Sequence, residues 1–186
     1  STFENWSPVP SAFTTSDIFT IAATGNNDNQ IMNSAAINCG QITLGKGVTF
    51  DAVKNITTSS SATTSINGIL NIYATTVNSA KLYVGNSSSA PGVINVNAGG
   101  NLVGNYVWRL GVSAPGTINI NGGTMTLGAA GSLAVGYSSS HAGVINVNSG
   151  KLNVNYTSFS SLTIGNTGVI TIDGGSIVIP GDQTVA

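Results

Sequence analysis

A short phrase recurs along this chain and limits what it can fold into more than any other feature. It reads Gly68-Ile-Leu-Asn-Ile72, Gly92-Val-Ile-Asn-Val96, Gly116-Thr-Ile-Asn-Ile120, Gly143-Val-Ile-Asn-Val147 and Gly168-Val-Ile-Thr-Ile172. With the weaker copy Gly47-Val-Thr-Phe50, the opening glycines fall 21, 24, 24, 27 and 25 residues apart, a period with loop-sized variation. A second phrase precedes it: Ile42-Thr-Leu-Gly45, Leu82-Tyr-Val-Gly85, Trp108-Arg-Leu-Gly111, Leu133-Ala-Val-Gly136 and Leu162-Thr-Ile-Gly165. The copy before Gly68 shows no such phrase. A third follows, usually after glycine: Asn101-Leu-Val103, Thr124-Met-Thr-Leu127, Lys151-Leu-Asn-Val154 and Ser176-Ile-Val-Ile179. Each repeat is thus predicted to hold three short strands.

Within each phrase large apolar residues alternate with polar ones, a period of two, and no segment carries helical spacing. The chain is therefore predicted to be all-β. Hairpins would reverse the pattern after a turn of a few residues, whereas the same order of strand types returns in the same direction every repeat. Like strands stacking on like strands give a parallel β-solenoid, one coil per repeat and about 4.8 Å between coils. Roughly seven coils over residues 37–186 make a rod on the order of 30 Å long. Ile94, Val96, Ile118, Ile120, Ile145 and Val147 are expected in its interior columns. Residues 1–36 fall outside the pattern and are expected to form an irregular N-terminal cap or docking segment.

Composition narrows the function. Of 186 residues only 6% are charged while 41% are hydrophobic, so Asn, Ser, Thr and Gly must supply solubility. Five Lys+Arg against six Asp+Glu give a net charge of -1, which offers no potential for a nucleic acid or an anionic membrane. No apolar run is long enough for a membrane-spanning helix, and no membrane insertion is expected. The single Cys and single His argue against a disulfide framework, a thiolate metal site and most proton shuttles. The sequence begins Ser1-Thr2-Phe3-Glu4 without a basic and apolar leader, so an exported protein is expected here in its mature form.

The pattern Leu-x-Val-Gly, a Ser-rich spacer, Gly-Val-Ile-Asn-Val, then Gly-x-Leu-x-Val resembles repeats of secreted bacterial β-solenoids, including autotransporter passenger domains and related surface proteins. Residues 82–179 carry it, with Leu82-Tyr-Val-Gly-Asn-Ser-Ser-Ser89 and Leu133-Ala-Val-Gly-Tyr-Ser-Ser-Ser140 nearly superposable. The resemblance implies a single-stranded, right-handed, three-sided parallel β-helix at or beyond the cell surface. Such families include adhesins, matrix proteins, polysaccharide-binding modules and glycan-active enzymes, and the fold does not choose among them.

Glycan-cleaving chemistry needs clustered acids or a placed base. Asp51 and Asp173 are predicted in equivalent columns, but five coil steps apart, roughly 24 Å, which is too far for a pair. His141 follows Ser138-Ser-Ser140 without an acid nearby to complete a triad. Cys39 is expected to be buried and inert. Gly25-Asn-Asn-Asp28-Asn-Gln30 is rich in oxygen ligands but lacks the spacing of a calcium loop, and is expected to be a polar turn. No enzyme, cofactor or metal site is expected.

The outward columns are more informative. Two rows are predicted, Thr49, Asn71, Asn95, Asn119, Asn146, Thr171 and Asp51, Tyr73, Asn97, Asn121, Asn148, Asp173. Stacked amides stabilise a solenoid as hydrogen-bonded ladders; alternatively, a flat uncharged face recognises a glycan, ice or another copy. Tyr83 and Arg109 occupy adjacent outward positions, with Tyr106 and Tyr137 near them, a surface suited to stacking against sugars. Trp108 aligns with Leu82, Leu133 and Leu162 and is expected in the core.

The ends differ. Phe3, Trp6 and Phe13 mark a Pro- and aromatic-rich beginning that could cap the first coil or dock on a neighbour, while little follows Ile177 and Ile179 to close the last. An open strand edge is a template for pairing, and a non-closing contact between copies makes a fibre. The sequence therefore points to a non-catalytic extracellular structural or adhesive solenoid that self-associates end to end. The alternative is a carbohydrate-binding module for a surface or matrix polysaccharide. Ice binding ranks third, because the outward face mixes Val with Asn and lacks repeated Thr-x-Thr pairs.

Overall fold

A computed structural model of the chain describes residues 16–22, 29–59, 62–128, 131–155 and 162–179. The fold is a parallel β-solenoid of about 6 turns, with no helix among the described residues. Three strand types build three faces. The first face stacks β1 (Ile18–Ile21), β4 (Gln41–Leu44), β7 (Thr63–Ile66), β10 (Lys81–Val84), β13 (Val107–Leu110), β15 (Ser132–Val135) and β17 (Leu162–Ile164). The second stacks β2 (Asn29–Met32), β5 (Val48–Ala52), β8 (Ile69–Ile72), β11 (Gly92–Asn97), the first halves of β14 (Gly116–Leu127) and β16 (Gly143–Val154), and β18 (Gly168–Ile172). The third stacks β3 (Ile37–Cys39), β6 (Ile56–Thr58), β9 (Thr76–Asn78), β12 (Asn101–Gly104), the second halves of β14 and β16, and β19 (Ser176–Val178). All these strand pairs are parallel. The seven stacked strands of the first face span six intervals along the rod.

Alternation in sequence becomes alternation in burial. In β11, β13 and β15 every second side chain points inward, and the inward columns Leu82–Trp108–Leu133, Ile94–Ile118–Ile145 and Leu102–Met125–Leu152 are at most 1% exposed. The glycine that opens each phrase is dictated by close approach: a Cβ on Gly92 would fall on the Ile66 carbonyl oxygen, and one on Gly116 on that of Val84. At the corner between the second and third faces the chain adopts positive φ, 74° at Gly99 and 89° at Gly122, a conformation that costs glycine little.

The structure departs from the sequence expectation in three places, where a strand is short, lacks the flanking glycine or carries a hydroxyl in place of an inward apolar residue. Parallel stacking starts upstream of residue 37, since β1 pairs with β4 and β2 with β5. Phe19-Thr-Ile21 has the alternation of the second phrase, but Ala22 stands where the copies with the full phrase have glycine. The repeat before Gly68 does contain a first-face strand, β7, with Thr64 in the inward position held elsewhere by Phe19, Ile42, Leu or Trp. The early repeats also have third-face strands, β3, β6 and β9, each of three residues. Their polar inward side chains satisfy one another: Thr64 Oγ1 donates to Thr58 Oγ1 (3.4 Å), Thr58 Oγ1 to Ser79 Oγ (3.3 Å), and Ser79 Oγ to the Lys81 carbonyl (3.1 Å). The core void beside these hydroxyls measures about 10 Å³, room for one water at most. Phe3, Trp6, Phe13 and Asp28 lie outside the described residues.

Candidate functional site

The second face carries an amide ladder. Asp51, Asn71, Asn95, Asn119, Asn146 and Thr171 are paired in register from strand to strand. Asn71 Nδ2 donates to Asp51 Oδ1, Asn95 Nδ2 to Asn71 Oδ1 and Asn119 Nδ2 to Asn95 Oδ1, each at 2.8 Å, and Asn146 Nδ2 to Asn119 Oδ1 at 2.9 Å. Gln30 Nε2 donates to the second Asp51 oxygen at 2.6 Å. An ionised carboxylate only accepts, so Asp51 fixes which way every amide in the row must point. Aligned amides polarise one another, which strengthens the chain of bonds.

This register corrects the predicted rows. Thr49 lies beside Ile69, and Asp51, not Thr49, heads the row of Asn71. Asp173 does not share its row, which ends at Thr171. The slip is two residues, and a shift of two leaves every inward and outward assignment unchanged, so alternation could not reveal it. The second row is less regular: Asn97 faces both Asn121 and Gly122 across a bulge, and Asn148 Nδ2 donates to Asn121 Oδ1 at 2.8 Å.

The first face gathers the aromatic and cationic side chains. Tyr83 and Arg109 are register partners on β10 and β13, and the next residue in the row is Ala134 on β15. Arg109 Cζ sits 5.1 Å from the centroid of the Tyr83 ring and 4.1 Å from that of Tyr137, so one guanidinium is shared by two rings. Lys81, two residues before Tyr83 on the same strand face, lies 5.3 Å from the centroid of the Tyr106 ring. Sequence reasoning placed Tyr83, Arg109, Tyr106 and Tyr137 together but missed Lys81. Its signal was available: alternation on β10 puts Lys81 and Tyr83 outward together. Trp108 lies in the core as expected, fully buried, with Nε1 donating to the Ser79 carbonyl at 2.8 Å.

The remaining reactive side chains are otherwise engaged. His141 Nδ1 lies 3.4 Å from Ser138 Oγ, which also accepts from the Ser140 backbone N–H at 3.2 Å, as an ordinary turn hydroxyl does. Burial pushes the Cys39 thiol up to about 11, a shift partly opposed by hydrogen bonding to the Gln41 backbone and reinforced by the Asp17 charge. Among the described residues no three His, Cys, Asp or Glu side chains come together as metal ligands, and no helix is long and apolar enough to cross a membrane.

The last turn is unlike those before it. Its inward side chains include Ile164 and Ile172, 39% and 53% exposed, and the half-buried Ile177 and Ile179. One turn earlier Val135, Val147 and Val154 are 0% exposed. Among the described residues β17, β18 and β19 have strand partners on one side only. Comparison of the chain with protein-family models, curated proteins and solved structures finds no match.

Proposed function

We propose that the chain is a non-catalytic, extracellular structural β-solenoid that associates with further copies of itself through its last turn. The open apolar layer formed by Ile164, Ile172, Ile177 and Ile179 carries this reading. Full burial of an exposed isoleucine is worth roughly 1.5–3 kcal/mol, of which these partly covered side chains stand to gain about half or less each, and a strand edge above them adds directional backbone bonds. The first described layer is better covered, with Phe19, Ile21, Ile37 and Cys39 at 0–7% exposure and Ile31 half-buried, so the two ends differ. Head-to-tail pairing builds a fibre or surface matrix, and a net charge of -1 does little to oppose it. The likeness of the repeats to secreted bacterial surface solenoids, with their right-handed winding, supports placement at or beyond the cell surface. Sedimentation velocity and electron microscopy of the full chain test the proposal. Concentration-dependent filaments abolished by Ile172→Lys are expected, whereas a monomer that persists at high concentration refutes it.

A second reading, carbohydrate binding on the first face, is favoured by one observation: Arg109 held between Tyr83 and Tyr137 beside Lys81 and Tyr106. Tyrosine rings stack on sugar faces while the cations reach sugar oxygens. Retention of the chain on an immobilised polysaccharide, lost on Tyr137→Ala, is the expected result.

A further inference from the structure

The geometry points to a carboxylate-bearing polysaccharide as the ligand of the first face, with Arg109 as its anchor. This rests on the carbohydrate-binding reading and specifies its substrate class. Two of the five Lys+Arg of a nearly uncharged chain stand on this one patch, a local concentration of positive charge. The described acids lie elsewhere: Asp17 precedes β1, Asp51 is committed to Gln30 and Asn71 on the second face, and Asp173 follows β18. Among the described residues Arg109 forms no ion pair; its contacts are the two tyrosine rings.

A guanidinium carries its five N–H donors in its plane and a carboxylate accepts two of them side by side, whereas a neutral hydroxyl takes one. Held between two rings, Arg109 gives up less side-chain freedom on binding than a free arginine. The exposed rings of Tyr106 and Tyr137 offer flat surfaces for the sugars on either side. Lys81 and Arg109 belong to adjacent strands and are offset by two residues, so their Cα atoms lie about 8 Å apart. A chain with regularly spaced carboxylates can engage both cations at once, which multiplies affinity through effective concentration.

The test uses the full chain and two probes, polygalacturonate and uncharged dextran, with binding followed by affinity electrophoresis at physiological salt. Polygalacturonate should retard the protein strongly and dextran weakly. Arg109→Gln should weaken retardation by polygalacturonate at least tenfold, and Arg109→Lys should retain part of it. Lys151→Gln, which removes an equal charge from an exposed position on the third face, should change it less than twofold. Far-UV circular dichroism identifies any variant that does not fold, and Tyr137→Ala then provides an independent probe of the same stack. Equal losses in Arg109→Gln and Lys151→Gln would mean diffuse electrostatics and overturn the assignment. Retardation by dextran as strong as by polygalacturonate, insensitive to Arg109, would overturn the acidic class while sparing the saccharide reading. Failure of both probes would sink both.

Discussion

Gly104 and Trp108 occupy one layer of the core and divide its volume unevenly. A Cβ on Gly104 would fall within the Trp108 indole, on Cε2, Cζ2 and Nε1. In the following layer their register partners are Leu127 and Leu133, so the same space is there filled by two residues of equal size. Gly104→Ala must therefore displace a fully buried indole. Overpacking of this kind costs about 1–3 kcal/mol, and weakening the Nε1 hydrogen bond to the Ser79 carbonyl adds about 1 kcal/mol, for about 2–4 kcal/mol in all. Trp108→Leu opens a cavity and removes that donor from a buried carbonyl, for about 3–5 kcal/mol. In the double variant the new methyl enters the space vacated by the indole, so the overpacking disappears and part of the cavity is filled. The double variant is expected to be no less stable than Trp108→Leu alone, a coupling of about 2–4 kcal/mol. Urea unfolding followed by far-UV circular dichroism measures all four corners of the cycle. Additivity within about 0.5 kcal/mol would refute the shared-volume account.

Asn119→Ala removes two ladder bonds and is expected to cost about 1–3 kcal/mol, while Asn97→Ala, at the bulge of the second row, should cost under about 0.5 kcal/mol; urea midpoints that rank the two in reverse would contradict the ladder. The raised Cys39 pKa gives a signed pH dependence. The unfolded thiol ionises near its ordinary value of 9.0, and the folded one only near about 11. Its contribution is therefore complete below pH 9 and is lost as pH rises towards 11, by roughly 2–3 kcal/mol. Urea unfolding of the parent and Cys39→Ala at pH 7.5 and 10.5 should show the parent losing more stability by about 2 kcal/mol, and parallel losses would count against it. Iodoacetamide at pH 8 should likewise spare Cys39 in the folded chain and modify it in urea.

How far the sequence carried the fold depends on where its signal was redundant. From Leu82 onward each strand type is stated several times in Leu, Val and Ile, and the columns Ile94–Ile118–Ile145 stack as alternation requires. Upstream the code thins: β6 and β7 place the hydroxyls of Thr58 and Thr64 inward, β3, β6 and β9 are only three residues long, and β1 is followed by Ala22 in place of glycine, so strands that pair as well as the others carry a weaker signal. The register of Asp51 was invisible for a different reason. Alternation has period two and is blind to a slip of two residues, whereas steric fit between stacked coils is not.

The candidate site divides the same way. Outward placement of Tyr83, Arg109 and the Asn rows follows from parity along each strand, a property of the local backbone that any reader of the sequence can apply. That Arg109 lies over two rings from different coils, that Asp51 orients an entire row of amides, and that the last turn leaves its isoleucines uncovered are relations between residues 20 to 30 positions apart. Such relations are created by stacking, because neighbours in a solenoid are set by the length of each coil and the path of each corner, and those are fixed only when the coils pack.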